Sequence, residues 1–156
     1  QIFLDFYSKA SGNSLYQTDF KEVMKTDFVM SLGTSLRNDN PNARYAFNNI
    51  QKMNKGAGLY FHPVGDTLVP TFGKNIEMFK HKVGLEEIAL LLIIDLFSDH
   101  DKLPNSVKEQ LDRAKLVDLL GGDSGKFEAS FTKMMKKKES FSLIIGEDLY
   151  FHEKAE

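Results

Sequence analysis

With 156 residues, 42% of them hydrophobic, the chain carries enough apolar material for the core of one domain spanning residues 1–156, and no second domain is expected. A net charge of −2 and a pI near 6.1 leave no electrostatic footprint for nucleic acid. The absence of cysteine removes disulfides, thiolate zinc sites and cysteine nucleophiles together.

The chain opens on Gln1 rather than Met and shows no signal or transit peptide, so it reads as a fragment. Ile2, Phe3, Leu4, Phe6 and Tyr7 form an apolar cluster that predicts the end of a helix, broken at Ser11-Gly12-Asn13-Ser14. Thr18, with Glu22 near capping-box spacing, predicts the start of a long helix running through Leu36. A polar turn over residues 37–42 leads into a weaker helical pattern over 44–54, carried by Tyr45, Phe47, Ile50 and Met53. Residues 55–70 alternate extended, aromatic and turn residues, the pattern of a β-hairpin. Ile76, Phe79, Lys80 and Val83 read as a short helix leading onward.

The stretch 83–120 is the centre of the sequence. Every residue from Ile88 to Ile94 is apolar, which predicts a helix surrounded by other helices. It is far shorter than the roughly 20 apolar residues a membrane span needs, so no membrane partner is expected. Ser98-Asp99-His100-Asp101 stops it, and Asn105 or Ser106 caps a second, amphipathic helix over 107–120 that ends at Gly121-Gly122. Beyond Gly125, Phe127, Phe131, Met134, Phe141, Ile145 and Leu149 recur at three- and four-residue steps, predicting one long helix over 126–154 with Gly146 as a kink. With four prolines and thirteen phenylalanines, these segments predict an all-α domain carrying one small hairpin.

Several motifs have a plainer reading beside the sharp one. Leu116-Val-Asp-Leu119-Leu120 is a Leu-x-x-Leu-Leu string of the kind that docks on receptor grooves, but a core stripe is the stronger account. Gly121-Gly-Asp-Ser-Gly125-Lys126 lacks the spacing, the following hydroxyl and the preceding strand of a phosphate loop. Asp99-His-Asp101 lacks the Gly and closing Glu of a calcium loop. His62, His81, His100 and His152 show no ligand spacing, so neither metal nor cofactor is expected. Lys133 and residues 136–138 read as a solvated face. No nucleophile, base and oxyanion set can be assembled, which argues against an enzyme.

Glu87-Ile-Ala-Leu-Leu-Leu-Ile-Ile-Asp-Leu-Phe97, followed by an acidic loop, a Leu-Pro step and an amphipathic helix, resembles the middle of a nuclear-receptor ligand-binding domain. Further matching segments are Asp19-Phe-Lys-Glu-Val-Met-Lys25 with Phe28, Gly58-Leu-Tyr-Phe-His62, Lys126-Phe127, Phe141-Ser-Leu143 and Glu147-Asp-Leu149-Tyr-Phe151. The spacing is similar to the retinoid X receptor and hepatocyte nuclear factor branch. The resemblance implies a three-layer antiparallel α-helical sandwich, truncated at both ends. It lacks the first helices, the final activation helix and the DNA-binding domain. It implies a pocket lined by Phe28, Val29, Leu32, Leu36, Ile145, Leu149 and His152 for a fatty acid, retinoid or sterol, with the branch's acid-binding Arg falling near Asp39 and Arg37. It further implies a coregulator groove with Lys9 or Lys25 at its basic end, a homo- or heterodimer contact through Phe131, Met134, Met135 and Lys138, and a nuclear location. The alternative is a ligand-independent helical interaction module.

Overall fold

The computed structural model describes residues 2–12 and 19–151. In chain order the elements are α1 (Ile2–Ser11), α2 (Phe20–Val23), β1 (Phe28–Leu32), α3 (Pro41–Met53), β2 (Ala57–Phe61), α4 (Val69–Phe72) and β3 (Ile76–Phe79). Then follow α5 (Glu86–Phe97), a 3-10 turn (His100–Lys102), α6 (Asn105–Lys108), α7 (Arg113–Leu119), α8 (Ser124–Met135), β4 (Phe141–Ile145) and α9 (Glu147–Tyr150). The strands form one wholly parallel sheet in the order β3-β2-β1-β4, with Phe28 opposite Ala57 on one side and Phe141 on the other. The expected all-α sandwich is therefore overturned: this is an α/β fold.

The reason lies in how buried strands read as sequence. A strand covered on both faces is a near-continuous apolar run without the period-2 alternation of a half-exposed one. Phe28-Val-Met-Ser-Leu32 is such a run, and all five residues are buried. Phe28, Met30 and Leu32 join a core with α5, α7 and α8, while Val29 joins a second core with α3, Leu36 and Tyr60. β2 divides the same way, with Ala57, Leu59 and Phe61 to the first core and Tyr60 to the second. The sheet is thus doubly wound, one helical layer on each face.

The first layer is α3, whose start is set by Asn40 accepting the Ala43 N–H at 3.0 Å and by Pro41 in its first turn. Ala43, Ala46, Phe47 and Ile50 form its buried stripe. Gly58 lets this helix close on β2, since a Cβ there would lie 2.9 Å from Phe47 Cζ and 2.7 Å from the Val29 carbonyl oxygen.

In the second layer α5 matches the expected helix, but it is not enclosed. Ala89, Leu92 and Ile93 are buried against the sheet, whereas Leu90 stays 38% exposed, because no element among the described residues covers its outer side. Asp95 on α5 accepts from Arg113 Nε at 2.6 Å, and Arg113 reaches Glu128 on α8 at 3.3 Å, so one guanidinium joins three helices. Of the Leu-x-x-Leu-Leu string, Leu116 and Leu120 are buried with Val117 in the core, while Leu119 is 47% exposed.

Further expectations change: the short helix predicted from Ile76 is the strand β3, and the helix predicted over 107–120 is divided into α6 and α7 by residues 109–112. The long helix predicted from Thr18 to Leu36 is α2 followed by β1; Thr18 itself lies outside the described residues, and Asp19 caps α2. The predicted hairpin is β2, whose chain returns through α4 as a parallel neighbour, β3, instead of folding back. The long C-terminal helix divides at residues 136–140, where Lys137 takes a left-handed backbone (φ 64°) and the chain re-enters the sheet as β4.

Candidate functional site

In an open, doubly wound parallel sheet, ligands bind beyond the carboxyl ends of the strands, where loops from neighbouring strands diverge. Here the strand order reverses between β1 and β4, but that gap is closed. The Gly146 N–H donates to the Leu32 carbonyl at 2.9 Å and the Asp148 N–H to the Gly33 carbonyl at 3.2 Å. Leu149 covers Gly33 so closely that a Cβ there would stand 3.0 Å from its Cγ. Opening space is found instead over β1, β2 and β3, in a cleft of about 400 Å³.

Two loops make its walls. After β1 the chain turns at Gly33 (φ 74°), and residues 34–39 are held by short-range bonds. The Ser35 N–H donates to Asp39 Oδ2 at 2.7 Å, the Asn38 N–H to Ser35 Oγ at 3.3 Å and the Asp39 N–H to the Ser35 carbonyl at 3.0 Å. After β2 the loop turns at Gly65 (φ 74°), and Asp66 Oδ1 accepts the Leu68 N–H at 2.7 Å. Tyr60 joins the two, donating to the Thr34 carbonyl at 3.4 Å. Burial first of all pushes its hydroxyl up to about 12, so it remains a proton donor. Met78 and Lys80 of the β3 end, with Pro70 of α4, complete the lining.

The polar groups sort into occupied and free. The carboxylates of Asp39 and Asp66 are taken up by backbone amides of their own loops. Arg37 and Lys80, both lining the cleft, make no ion pair among the described residues, whereas Lys25, Lys102, Lys126 and Arg113 each pair with a carboxylate.

His62 stacks on Tyr60 with ring centres 5.8 Å apart and accepts the Val64 N–H on Nδ1 at 3.3 Å, so its neutral form carries the proton on Nε2. Burial holds the imidazole below its ordinary 6.5, against the pull of the Asp148, Asp39 and Asp66 carboxylates. No hydroxyl or carboxylate among the described residues is hydrogen-bonded to it. It is placed as a neutral donor, not as a base beside a nucleophile. Because the unfolded chain takes up the proton near pH 6.5 and the folded chain only below that, the stability tied to His62 is complete above 6.5 and lost as pH falls through the folded value. The urea midpoint is expected to drop more steeply between neutral and mildly acid pH in the wild type than in His62→Gln; parallel profiles would contradict the burial of His62.

The residues assigned from the receptor resemblance do not converge. Phe28, Leu32 and Leu149 belong to the core under α5, Val29 and Leu36 to the core under α3, and Ile145 ends β4; His152 lies outside the described residues. Lys9 sits on α1, and Lys25, past α2, pairs with Glu22. Phe131 and Met134 are buried in the sheet core with the partly buried Met135 packed against it, and Lys138 Nζ donates to the Lys55 carbonyl at 2.8 Å. Of the other histidines, His81 is buried with Nδ1 2.9 Å from the Lys82 carbonyl, and His100 Nε2 lies 2.9 Å from the Asp95 carbonyl. No group of three metal-ligating side chains exists among the described residues.

Of the cleft, sequence reasoning singled out Arg37 and missed Lys80, which it placed in a helix. The signal was present as turn residues directly after two apolar runs, Gly33-Thr-Ser35 and His62-Pro-Val-Gly65-Asp66. Compared with known proteins, the chain matches no family model and no curated sequence.

Proposed function

We propose that this domain binds a small phosphate-bearing ligand, about the size of a mononucleotide, in the cleft at the carboxyl edge of the sheet. The observation that carries the reading is the pair of cations, Arg37 from the β1 loop and Lys80 from the β3 end, lining one cleft with no carboxylate partner among the described residues. Ser35, Asn38 and Thr67 add hydrogen-bonding groups, and Val64, Pro70 and Met78 supply apolar surface for a ring. The cleft volume of about 400 Å³ falls within the range that holds a small ligand. The walls are stiffened by the bonds within residues 34–39 and by Tyr60, so little ordering remains to oppose binding.

Isothermal titration calorimetry with a panel of mononucleotides, sugar phosphates and inorganic phosphate tests this. The wild type is expected to bind at least one of them. Arg37→Glu combined with Lys80→Glu is expected to weaken that binding by about 100-fold or more, since each charge-assisted hydrogen bond contributes about 1.5–3 kcal/mol. A wild type that binds none of the panel, or a double variant that binds equally well, overturns the proposal.

A further inference from the structure

The opposite edge of the sheet carries a second charged surface. Three chain segments meet where the strands begin. Asp27, just before β1, accepts the Glu139 and Ser140 N–H groups on its carboxylate at 3.2 and 3.1 Å, and its carbonyl accepts the Ala57 N–H at 3.0 Å. Lys138 Nζ bridges to the Lys55 carbonyl at 2.8 Å. The loop over residues 136–140 and the loop over 54–56 are thereby laid side by side across β1. Strand spacing of roughly 4.8 Å puts the starts of β2 and β4 about 10 Å apart, little more than the Debye length of about 8 Å at physiological salt. Lys52, Lys55, Lys133, Lys136, Lys137 and Lys138 all sit on these two loops and the helix ends that feed them.

Helix ends explain part of this. Lys52 and Lys133 occupy the last turns of α3 and α8, where a cation offsets the negative end of the helix dipole. The other four lie beyond the last helical turn. Two of them are held in a backbone conformation that disfavours them: Lys55 (φ 49°) and Lys137 (φ 64°) are the non-glycine residues with positive φ among those described. Glycine would relieve both positions. Local stability alone therefore does not account for lysine there, and its charge is what distinguishes it.

We infer that this edge docks on an anionic lipid surface. The cations are all lysines, compact ammonium groups suited to a diffuse layer of headgroup charge; none is the planar arginine of bidentate phosphate or base recognition. Met53, 76% exposed beside Lys52, offers an apolar side chain to the headgroup layer. Phe141, the aromatic residue that follows the lysine-bearing loop, is 45% exposed, but its ring packs on Phe28 and Phe97 at 6.0 and 5.4 Å and so is not free to stack a nucleobase. With a net charge of −2, the rest of the chain is repelled by the same surface, which orients this edge toward it.

The test is flotation of the full chain with vesicles of phosphatidylcholine alone and of three parts phosphatidylcholine to one part phosphatidylserine. Expected is partition onto the anionic vesicles only, weakening as salt rises, and falling about 100-fold in Lys136→Glu/Lys137→Glu/Lys138→Glu. Lys55→Gly/Lys137→Gly separates charge from folding: vesicle binding is expected to fall while the urea midpoint holds or rises. Failure to float with anionic vesicles at low salt overturns the inference. So does undiminished binding by the triple variant, or tighter binding to a short RNA or DNA duplex than to the vesicles at equal salt.

Discussion

Phe28→Ala is expected to lower the unfolding free energy by about 3–5 kcal/mol, the usual result of removing a fully buried aromatic ring. Phe28 has no exposed surface, and its ring lies 5.5 Å from that of Phe97, 6.3 Å from Phe131 and 6.0 Å from Phe141. One side chain thus holds α5, α8 and β4 onto the central strand. Against a typical total of about 5–15 kcal/mol, that loss leaves a small domain near the limit of folding. Phe28→Leu keeps most of the volume and is expected to lose well under half as much. Urea denaturation followed by circular dichroism measures both. An alanine variant within about 1 kcal/mol of the wild type would mean that this cluster is not the core.

Gly146→Ala is the second large effect, by a different mechanism. Its φ of −97° is open to any residue, so no backbone strain is involved. The obstacle is contact: a Cβ would stand 1.9 Å from the Gly33 carbonyl oxygen and 2.3 Å from its carbon. Neither is the movable end of a side chain. Gly33 is itself held by the Leu149 side chain above it and by the Asp148 amide, so the strands must part where β4 leaves the sheet. A loss of about 3 kcal/mol, at the upper end of overpacking, is expected. Gly84→Ala supplies the contrast: nothing lies within 4 Å, and only its φ of 86° opposes a side chain, at about 1–2 kcal/mol. Chemical denaturation of the two variants ranks them, and a neutral Gly146→Ala would show that the gap between β1 and β4 is open.

The sequence was most readable where length decides between periods. Twelve residues from Glu86 to Phe97 are too many for an ordinary buried strand, and they form a helix. Five residues such as Phe28–Leu32 or Phe141–Ile145 are compatible with either period when both faces are apolar, and both were drawn into neighbouring helices. In the second case Phe141, Ile145 and Leu149 fall four apart by coincidence of a strand with a following turn. The lysine-rich break before them was the better guide. The receptor resemblance rested on the apolar helix Glu87–Phe97 with its acidic loop and on short segments such as Asp19–Lys25 and Gly58–His62, and an α/β core containing one strongly apolar helix accommodates all of them.

Of the cleft, the turn chemistry was legible and its assembly was not. Ser35, Arg37, Asp66 and Lys80 come together only because β1, β2 and β3 run parallel in register, and no local pattern specifies which strand lies beside which. The closure of the β1–β4 gap was invisible for the same reason, since it depends on two glycines more than a hundred residues apart.

The central position of β1 also fixes the order in which the molecule can be made. Its partner β2 follows within thirty residues, but the other, β4, pairs Phe28 with Phe141. At about 5–20 residues per second, translation leaves that edge of β1 without its ladder for roughly 5–25 s. For that interval a five-residue apolar strand without charge or proline presents open amides and carbonyls, the template on which chains aggregate. Few local contacts can hurry its closure, because the loop to be closed is most of the domain. In a nascent chain of this topology that edge of β1 therefore stays open until Phe141–Ile145 has emerged.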